Sequence, residues 1–278
     1  MTMPIFSIIT VCYNEAAHIR ETLDSIVGQT YHDYELIVVD GGSTDGTKDI
    51  IEQYSEKITW WCSERDKGIY NAMNKGVGHA IGDYVIFMNG GDKFHDKDAL
   101  STIHDAGLDA DIIEGLAIKK GTLQLIKPHT PNLERTLLTD CLSHQSTFIR
   151  RELLVKYPYD ENYKIASDWK FWLQVLLYDG HSYKFVDAIV ADMDVNGITY
   201  TQPELNKKER DLILAEFLPR GFSGPITDIL REHHEMKHDK VIEYVMYLKE
   251  HSFKSYHLIR KIAKRLVKIA RWKKETTL

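Results

Sequence analysis

Cysteine is scarce in this chain, and its placement excludes a disulfide framework. The 278 residues include three cysteines, Cys12, Cys62 and Cys141. They are odd in number, far apart and without a CxxC pair, which argues against stabilising disulfides and against a cysteine zinc site. A reducing compartment is therefore favoured.

Long hydrophobic runs are also missing. No stretch approaches the length of a transmembrane helix, and the first apolar run, residues 5–12, has neither a basic segment before it nor a cleavage site after it. It is too short for a signal peptide or a membrane span. We therefore expect a cytoplasmic protein, or one that lies on the inner face of the cell membrane without crossing it.

Positive charge is deficient except at one end. The formal net charge is −6, yet residues 253–278 carry nine Lys or Arg and one Glu, which leaves an acidic body with a basic tail. The acidic body argues against nucleic acid as a partner. Residues 253–274 have the pattern of a basic amphipathic helix. This pattern favours contact with an anionic membrane surface over packing of the tail on its own domain.

The first ninety residues alternate between apolar runs of strand length and amphipathic helical segments. The predicted strands are 6–13, 35–40, 58–64 and 84–89, and the predicted helices between them are 14–29, 43–54 and 68–81. This order is typical of parallel βαβ units with helices on both faces of a Rossmann-like sheet, which is an α/β fold. The pattern is mixed up to about residue 200 and helical afterwards. We predict a catalytic domain over 1–200 and a helical extension over 201–278.

A glycine-rich phosphate loop is absent. The turn after the first strand reads CYNEAA, and no GxxxxGK[ST] segment occurs. Both observations argue against a dinucleotide-binding Rossmann site and against a nucleotidyltransferase with a basic Gly-rich loop.

Five acidic residues follow the predicted parallel strands. In an open parallel sheet the carboxyl ends of the strands meet at one edge, where ligands bind. Clustered carboxylates repel one another unless a cation or hydrogen-bond donors offset their charge. A functional edge is therefore favoured over a set of helix caps and turn formers. The five acids are Glu15, Asp40, Glu64, Asp66 and Asp92.

Four motifs, in this order and at this spacing, resemble the family 2 glycosyltransferases, which have the GT-A fold. The motifs are SIITVCYNE, YELIVVDGGSTDGT, SERDKGIYNAMNKG and GDYVIFMNGGD, and the resemblance covers about residues 4–200. Within that family, the sequence most resembles bacterial enzymes that build O-antigen, capsule or other exopolysaccharide. It implies an inverting transfer of a sugar from a nucleotide-diphosphate donor, a UDP-sugar, to a hydroxyl of a growing, lipid-diphosphate-linked glycan.

The resemblance also implies roles for individual residues. Asp168 would be the catalytic base, and Asp92 would bind Mg²⁺ or Mn²⁺. Tyr13 would pack on the base of the nucleotide, and Asp40 would accept a hydrogen bond from uracil or ribose. The remaining expected donor-site residues are Glu15, Asp66 and Asn89, and those on the acceptor side are His144, Gln145 and Trp169.

The chain departs from the family pattern at several of these positions. Many members have acids where Asn89 and Gly91 stand, so metal binding without nucleotide should be weak. Many have an arginine in place of Met73, a loss for which Lys67 or Lys75 would compensate. The apolar neighbours of Asp168 predict a raised pKa, which suits a base that works near neutrality. As an alternative to catalysis, Asp168 caps the helix that follows it.

Two other functions are compatible with parts of the sequence. The reduced acidic motif allows a GT-A-fold scaffold or partner subunit at the membrane that transfers no sugar. The segment HEMKH (234–238) matches the zinc motif HExxH, but its surroundings are heavily charged and no third ligand follows. We therefore favour a solvated helix face there.

Overall fold

The computed structural model describes residues 3–126, 133–195 and 197–217. The predicted basic tail over 253–274 and the HEMKH segment lie outside the described residues. The compact unit that contains the sheet extends through Phe217. The domain boundary at residue 200 stays a prediction. In the ranges that the structure describes, no helix is both long and apolar enough to cross a membrane.

The described chain contains one mixed sheet of eight strands, in the spatial order β3-β2-β1-β4-β7-β6-β8-β5. Neighbouring pairs among β1 to β4 run parallel, as the βαβ pattern predicts, whereas β7 runs antiparallel to both β4 and β6. The strands are β1 (Phe6–Cys12), β2 (Tyr34–Asp40), β3 (Trp60–Ser63), β4 (Tyr84–Phe87), β5 (Lys93–Phe94), β6 (Ile112–Lys119), β7 (Thr147–Arg150) and β8 (Tyr183–Met193).

The helices connect these strands and cover them. Helix α7 continues into a π-helical segment over Leu173–Tyr178, and a short 3₁₀ turn over His144–Ser146 precedes β7. The α-helices of the described chain are α1 (Ile19–Val27), α2 (Thr47–Glu52), α3 (Ile69–His79), α4 (Ala99–Asp105), α5 (Leu133–Thr139), α6 (Arg151–Lys156), α7 (Ser167–Trp172), α8 (Ile198–Thr201) and α9 (Pro203–Phe217).

Helices lie on both faces of the sheet, as predicted. Ile8 of β1 packs in a buried cluster with Leu23 of α1 and Leu100 of α4 on one face. On the other face α3 approaches so closely that a Cβ on Gly76 would lie 2.5 Å from Ile9 Cγ2. Alternate residues of one strand therefore reach opposite cores, which is why β1 is apolar almost throughout.

The antiparallel pairing of β4 with β7 positions the site. Val85 pairs with Ile149 and Tyr84 with Arg150, so the segment that enters β7 lies beside the segment that leaves β4. The 3₁₀ turn at His144 thereby meets the turn Asn89–Asp92, although about fifty residues separate them in the chain.

Candidate active site

The turns after β1 and β2 hold one another in place. Asn14 has a left-handed backbone, with φ of 54°, a conformation that Asn adopts more readily than most residues. Its amide N–H donates to Ser43 Oγ at 2.7 Å, and its side-chain oxygen accepts from the Thr44 amide at 3.0 Å. This arrangement leaves the neighbouring Tyr13 ring 62% exposed at the carboxyl edge of the sheet.

Tyr13 and Asp66 meet around Gly41. A Cβ on Gly41 would lie 2.7 Å from Asp66 Oδ2 and 3.4 Å from Tyr13 Cδ2, so glycine provides the room between the two side chains. Asp66 Oδ1 accepts a hydrogen bond from the Gly68 amide at 2.9 Å, which fixes the carboxylate at the start of α3. The structure therefore brings these two predicted donor-site residues together.

Asp40 is fully buried at the end of β2. One carboxylate oxygen accepts from the Ser43 hydroxyl, and the other accepts from the Ser43 amide at 3.0 Å and from Ser63 Oγ at 2.6 Å. A nucleoside donor group would have to share an oxygen with these serines. The role of Asp40 in nucleoside binding stays a prediction.

Glu64 and Lys75 form an ion pair of 2.7 Å. Lys75 is therefore already engaged, and of the two lysines expected to compensate for Met73 only the exposed Lys67 lacks such a partner within the described residues. Met73 itself lies on the buried side of α3, in the hydrophobic core, and is 1% exposed.

Asp92 is buried below the turn that follows β4, and is 4% exposed. Its Oδ1 accepts from the Asp194 amide at 2.8 Å, and its Oδ2 accepts from Gln145 Nε2 at 3.1 Å. Burial raises the pKa of Asp92 to about 6, although both hydrogen bonds favour the ionised form. The turn is tight because Gly91 has φ of 97°, and Glu15 packs against Gly90, where a Cβ would lie 2.9 Å from Glu15 Cγ.

The residues around Asp92 fit a divalent cation only as a partial site. Asn89 Oδ1 is buried and has no hydrogen-bond partner among the described residues, so an amide oxygen is available in the same turn as Asp92. Across the described ranges no cluster of three or more His, Cys, Asp or Glu side chains could hold a metal ion alone. A cation on Asp92 would therefore take its other ligands from diphosphate and water, an arrangement that Mg²⁺ accepts readily.

Asp168 lies in the first turn of α7, and hydrogen-bond donors surround its carboxylate. Oδ1 accepts from the Tyr70 hydroxyl at 3.0 Å and the Trp169 amide at 2.8 Å. Oδ2 lies 3.3 Å from His144 Nδ1 and 3.8 Å from Cys141 Sγ. The carboxylate is 13% exposed, so it is sheltered without being sealed.

Two expectations for Asp168 are wrong. Burial does raise its pKa, but the hydrogen bond and charge of His144, with the Tyr70 hydroxyl and the Trp169 amide, outweigh burial and leave the pKa below its usual value. The carboxylate also does not cap the helix, because α7 begins at Ser167 and its N-cap is Ala166, without a side-chain capping bond. The apolar neighbours were visible in the sequence, whereas the donors come from distant segments.

His144 connects the donor-side turn to Asp168. Its Nε2 lies 3.1 Å from Asn89 Nδ2 while its Nδ1 faces Asp168 Oδ2. The ring thereby lies between two residues that the sequence assigned to different substrates. The acceptor-side roles of Gln145 and Trp169 stay predictions. Gln145 binds Asp92, and Trp169 is 1% exposed, with its Nε1 donating to the Leu137 carbonyl at 2.6 Å.

Sequence reasoning missed Tyr70 as a site residue. Tyr70 is buried in α3, and its hydroxyl lies 2.6 Å from the Ile165 carbonyl and 3.0 Å from Asp168 Oδ1, so the two acceptors share its single hydrogen. Burial and the Asp168 charge raise the pKa of Tyr70, so the phenol remains a donor. The residue stands inside the motif SERDKGIYNAMNKG, but nothing in the motif distinguishes it from an ordinary core tyrosine.

Comparisons with known proteins agree with this architecture. The model of the glycosyl transferase family 2 matches residues 7–152, more than half of the chain. A PGL/p-HBAD biosynthesis glycosyltransferase of Mycobacterium bovis (strain BCG / Pasteur 1173P2) is 32% identical over an alignment of 211 residues, which covers 71% of this chain and 79% of the relative. A glycosyltransferase of Rickettsia typhi (strain ATCC VR-144 / Wilmington), described as uncharacterized, is 28% identical over an alignment of 271 residues, which covers 92% of this chain and 83% of the relative.

Two solved structures share the fold. The S. aureus TarS 1-349 complex with UDP-GlcNAc has a TM-score of 0.62 at 21% identity, over 90% of this chain and 78% of that one. Mannosyltransferase PcManGT from Pyrobaculum calidifontis, in complex with GDP-Man and Mn²⁺, has a TM-score of 0.61 at 20% identity, over 84% of this chain and 70% of that one. The predicted GT-A fold is confirmed.

Proposed function

We propose that this chain, which belongs to glycosyl transferase family 2 and is a glycosyltransferase, transfers a sugar from a UDP-sugar to a glycan hydroxyl. The transfer would invert the configuration at the anomeric carbon. The observation that carries the proposal is the placement of Asp168. Its sheltered carboxylate is joined through His144 to Asn89, in the same turn as Asp92. A base and a donor-side acid are thus held in one network.

Asp168 would act as the general base through Oδ2. Oδ1 already accepts two hydrogen bonds of 3.0 and 2.8 Å, whereas the contacts of Oδ2 are longer, at 3.3 and 3.8 Å. The acceptor oxygen would attack the anomeric carbon and pass its proton to Oδ2. The bond from that carbon to the diphosphate oxygen would break, and UDP would leave with the bonding electron pair. The lowered pKa keeps Asp168 ionised over a wide pH range but makes it a weaker base than a carboxylate with a raised pKa would be.

The donor would lie along the edge formed by Tyr13, Glu15, Asp40, Asp66 and Asn89. TarS is solved with UDP-GlcNAc and PcManGT with GDP-Man, which supports a nucleotide-sugar donor. The expected cation is Mg²⁺ or Mn²⁺, and the PcManGT complex contains Mn²⁺. Asp92 would hold it, with Gln145 and the Asp194 amide orienting the carboxylate. When bound, the cation would supply positive charge to the departing diphosphate.

The acceptor proposal rests on sequence alone. The resemblance to enzymes of O-antigen, capsule and exopolysaccharide synthesis supports a growing, lipid-diphosphate-linked surface glycan as the acceptor. The basic, two-faced pattern of residues 253–274 supports docking on the anionic inner face of the cell membrane.

Calorimetric titration with UDP, with and without Mn²⁺, tests the donor and the cation together. We expect binding that strengthens with Mn²⁺ in the wild-type chain and no effect of Mn²⁺ in Asp92→Ala. Glu64→Ala is the matched control, because Glu64 belongs to the same acidic edge but pairs with Lys75. Binding of GDP or dTDP in place of UDP would change the proposed base of the donor. Failure of all three nucleotides would favour a membrane scaffold that transfers no sugar.

A further inference from the structure

We infer that Glu209 of helix α9 is the positioning residue for Asp168, an assignment that rests on the proposed function of Asp168 as the base. Glu209 lies outside the part of the chain that matches the family, residues 7–152, and forty-one positions after Asp168. It acts through the backbone that enters α7 and through Tyr70, and it does not touch Asp168 directly.

Glu209 is a buried carboxylate, and within the described residues its hydrogen bonds all come from backbone amides. It is 5% exposed, and its two oxygens accept from the N–H groups of Lys164, Ile165 and Ala166 at 2.8, 2.9 and 3.0 Å. An ionised carboxylate is costly to bury unless donors replace its water. Three converging amides do so, and they fix the loop at a defined distance from α9.

The loop that Glu209 holds also contacts the site. Ile165 donates its N–H to Glu209 Oε2 at 2.9 Å, and its carbonyl accepts from the Tyr70 hydroxyl at 2.6 Å. The same hydroxyl lies 3.0 Å from Asp168 Oδ1, so its single hydrogen is shared between the carbonyl and the carboxylate. A continuous path of hydrogen bonds therefore runs from Glu209 through the Ile165 peptide and Tyr70 to the carboxylate of the base.

Besides the loop, helix α9 also contacts α7 itself. The Arg210 guanidinium lies 4.5 Å from the centre of the Trp169 ring, which is itself buried beside Asp168. The loop and the first turn of α7 are thus held by adjacent residues of α9.

A carboxylate is required at 209 because the side chain of glutamine offers one acceptor oxygen and would turn an N–H₂ group toward the remaining amides.

Hydrogen exchange tests the first half of this inference without any substrate. In Glu209→Gln we expect the amides of residues 164–172 to exchange at least about ten-fold faster, since the loss of one hydrogen bond to a charged group is worth about that factor. Glu204→Gln, an exposed position on the same helix, is the control and should leave exchange unchanged. Unchanged exchange in Glu209→Gln would overturn the proposal.

Turnover tests the second half. UDP-glucose, UDP-galactose and UDP-N-acetylglucosamine are each tested alone, with water as acceptor, and the donor from which the wild-type enzyme releases UDP fastest is kept. For that donor, kcat should fall about ten-fold in Glu209→Gln, and KM should stay unchanged. Glu209→Asp keeps the charge and should retain more activity, and it replaces Glu209→Gln if that variant fails to fold. In an Asp168→Asn background, Glu209→Gln should cause no further loss, because a positioning residue has nothing left to position.

The outcomes separate the two proposals. Wild-type kcat in Glu209→Gln beside an impaired Asp168→Asn overturns the role of Glu209 alone. Losses that multiply in the double variant, or a raised donor KM, do the same, since they show a general structural effect. Wild-type kcat in Asp168→Asn overturns the base assignment and the positioning role with it.

Discussion

His144 Nδ1 lies 3.3 Å from Asp168 Oδ2, and the two side chains are 16% and 13% exposed. Both side chains are mostly buried, so solvent weakens the interaction only in part. Apart from the opposing effect of burial, His144 contributes the largest influences on the pKa of Asp168, and they lower it. The ring also contacts Asn89, so a change on the donor side reaches the base through a single residue.

His144→Ala should lower kcat by about ten-fold, which corresponds to about 1.4 kcal/mol for a lost hydrogen bond to a charged group. With His144 absent, burial of Asp168 is less opposed, so its pKa rises. The acidic limb of the pH–kcat profile should therefore move to higher pH, and the profile measures this directly.

A matched control is available for this variant. His181 Nδ1 lies 3.2 Å from Asp111 Oδ2, in a similar pair at the opposite end of β8. His181→Ala should leave the pH–kcat profile where it is. Equal shifts in both variants would show that the effect is not specific to the site.

Asp168→Asn should reduce kcat by about 10²- to 10⁴-fold, the usual contribution of a general base, with UDP affinity unchanged.

The Asp168→Asn variant should also be less stable than wild type at pH 7. Because folding lowers the pKa of Asp168, its ionised form stabilises the native state above the unfolded pKa, and this stabilisation is lost as the pH falls through the folded pKa. Urea unfolding at pH 7 and at a series of pH values below 3.8 should show the gap closing only in that acidic range.

Asp92→Asn should have the opposite effect on stability in the presence of a chelator. Burial raises the pKa of Asp92 from 3.8 to about 6, so ionisation at neutral pH costs the folded state up to about 3 kcal/mol. The variant should be more stable than wild type at pH 7 by up to that amount, and the difference should vanish as the pH falls from 6 toward 4. A stability gain that persists at pH 4 would assign the effect to packing instead of charge.

Gly41→Ala tests the donor pocket. The added Cβ would lie 2.7 Å from Asp66 Oδ2, so the carboxylate must move, and we expect UDP affinity to fall about five- to ten-fold, or about 1 to 1.4 kcal/mol. The control is Gly78→Ala in α3, where an added Cβ meets nothing within 4 Å. That change should leave UDP binding intact and stabilise the helix by about 0.5–1 kcal/mol. Unchanged UDP binding in Gly41→Ala would place the nucleotide elsewhere.

The sequence by itself determined the elements of the N-terminal half and one edge of the site. Apolar runs such as FSIITVC and YELIVVD predict buried parallel strands, and parallel strands direct their carboxyl ends to one edge. Local patterning sets these features, since strand propensity and turn residues act over a few positions. Tyr13 and Asp66 could therefore be placed near one another before any coordinates.

Only the tertiary structure decided the environment of each carboxylate. The donors around Asp168 come from His144, Tyr70 and its own helix, and those of Asp92 come from Gln145 and Asp194. These contacts depend on the antiparallel insertion of β7 beside β4 and on the packing of α3 and α9 against the loop before α7. Hydrogen-bond geometry between segments far apart in the chain leaves no periodic signal in the sequence. For that reason the direction of the Asp168 pKa shift and the involvement of Glu209 emerged only from the folded chain.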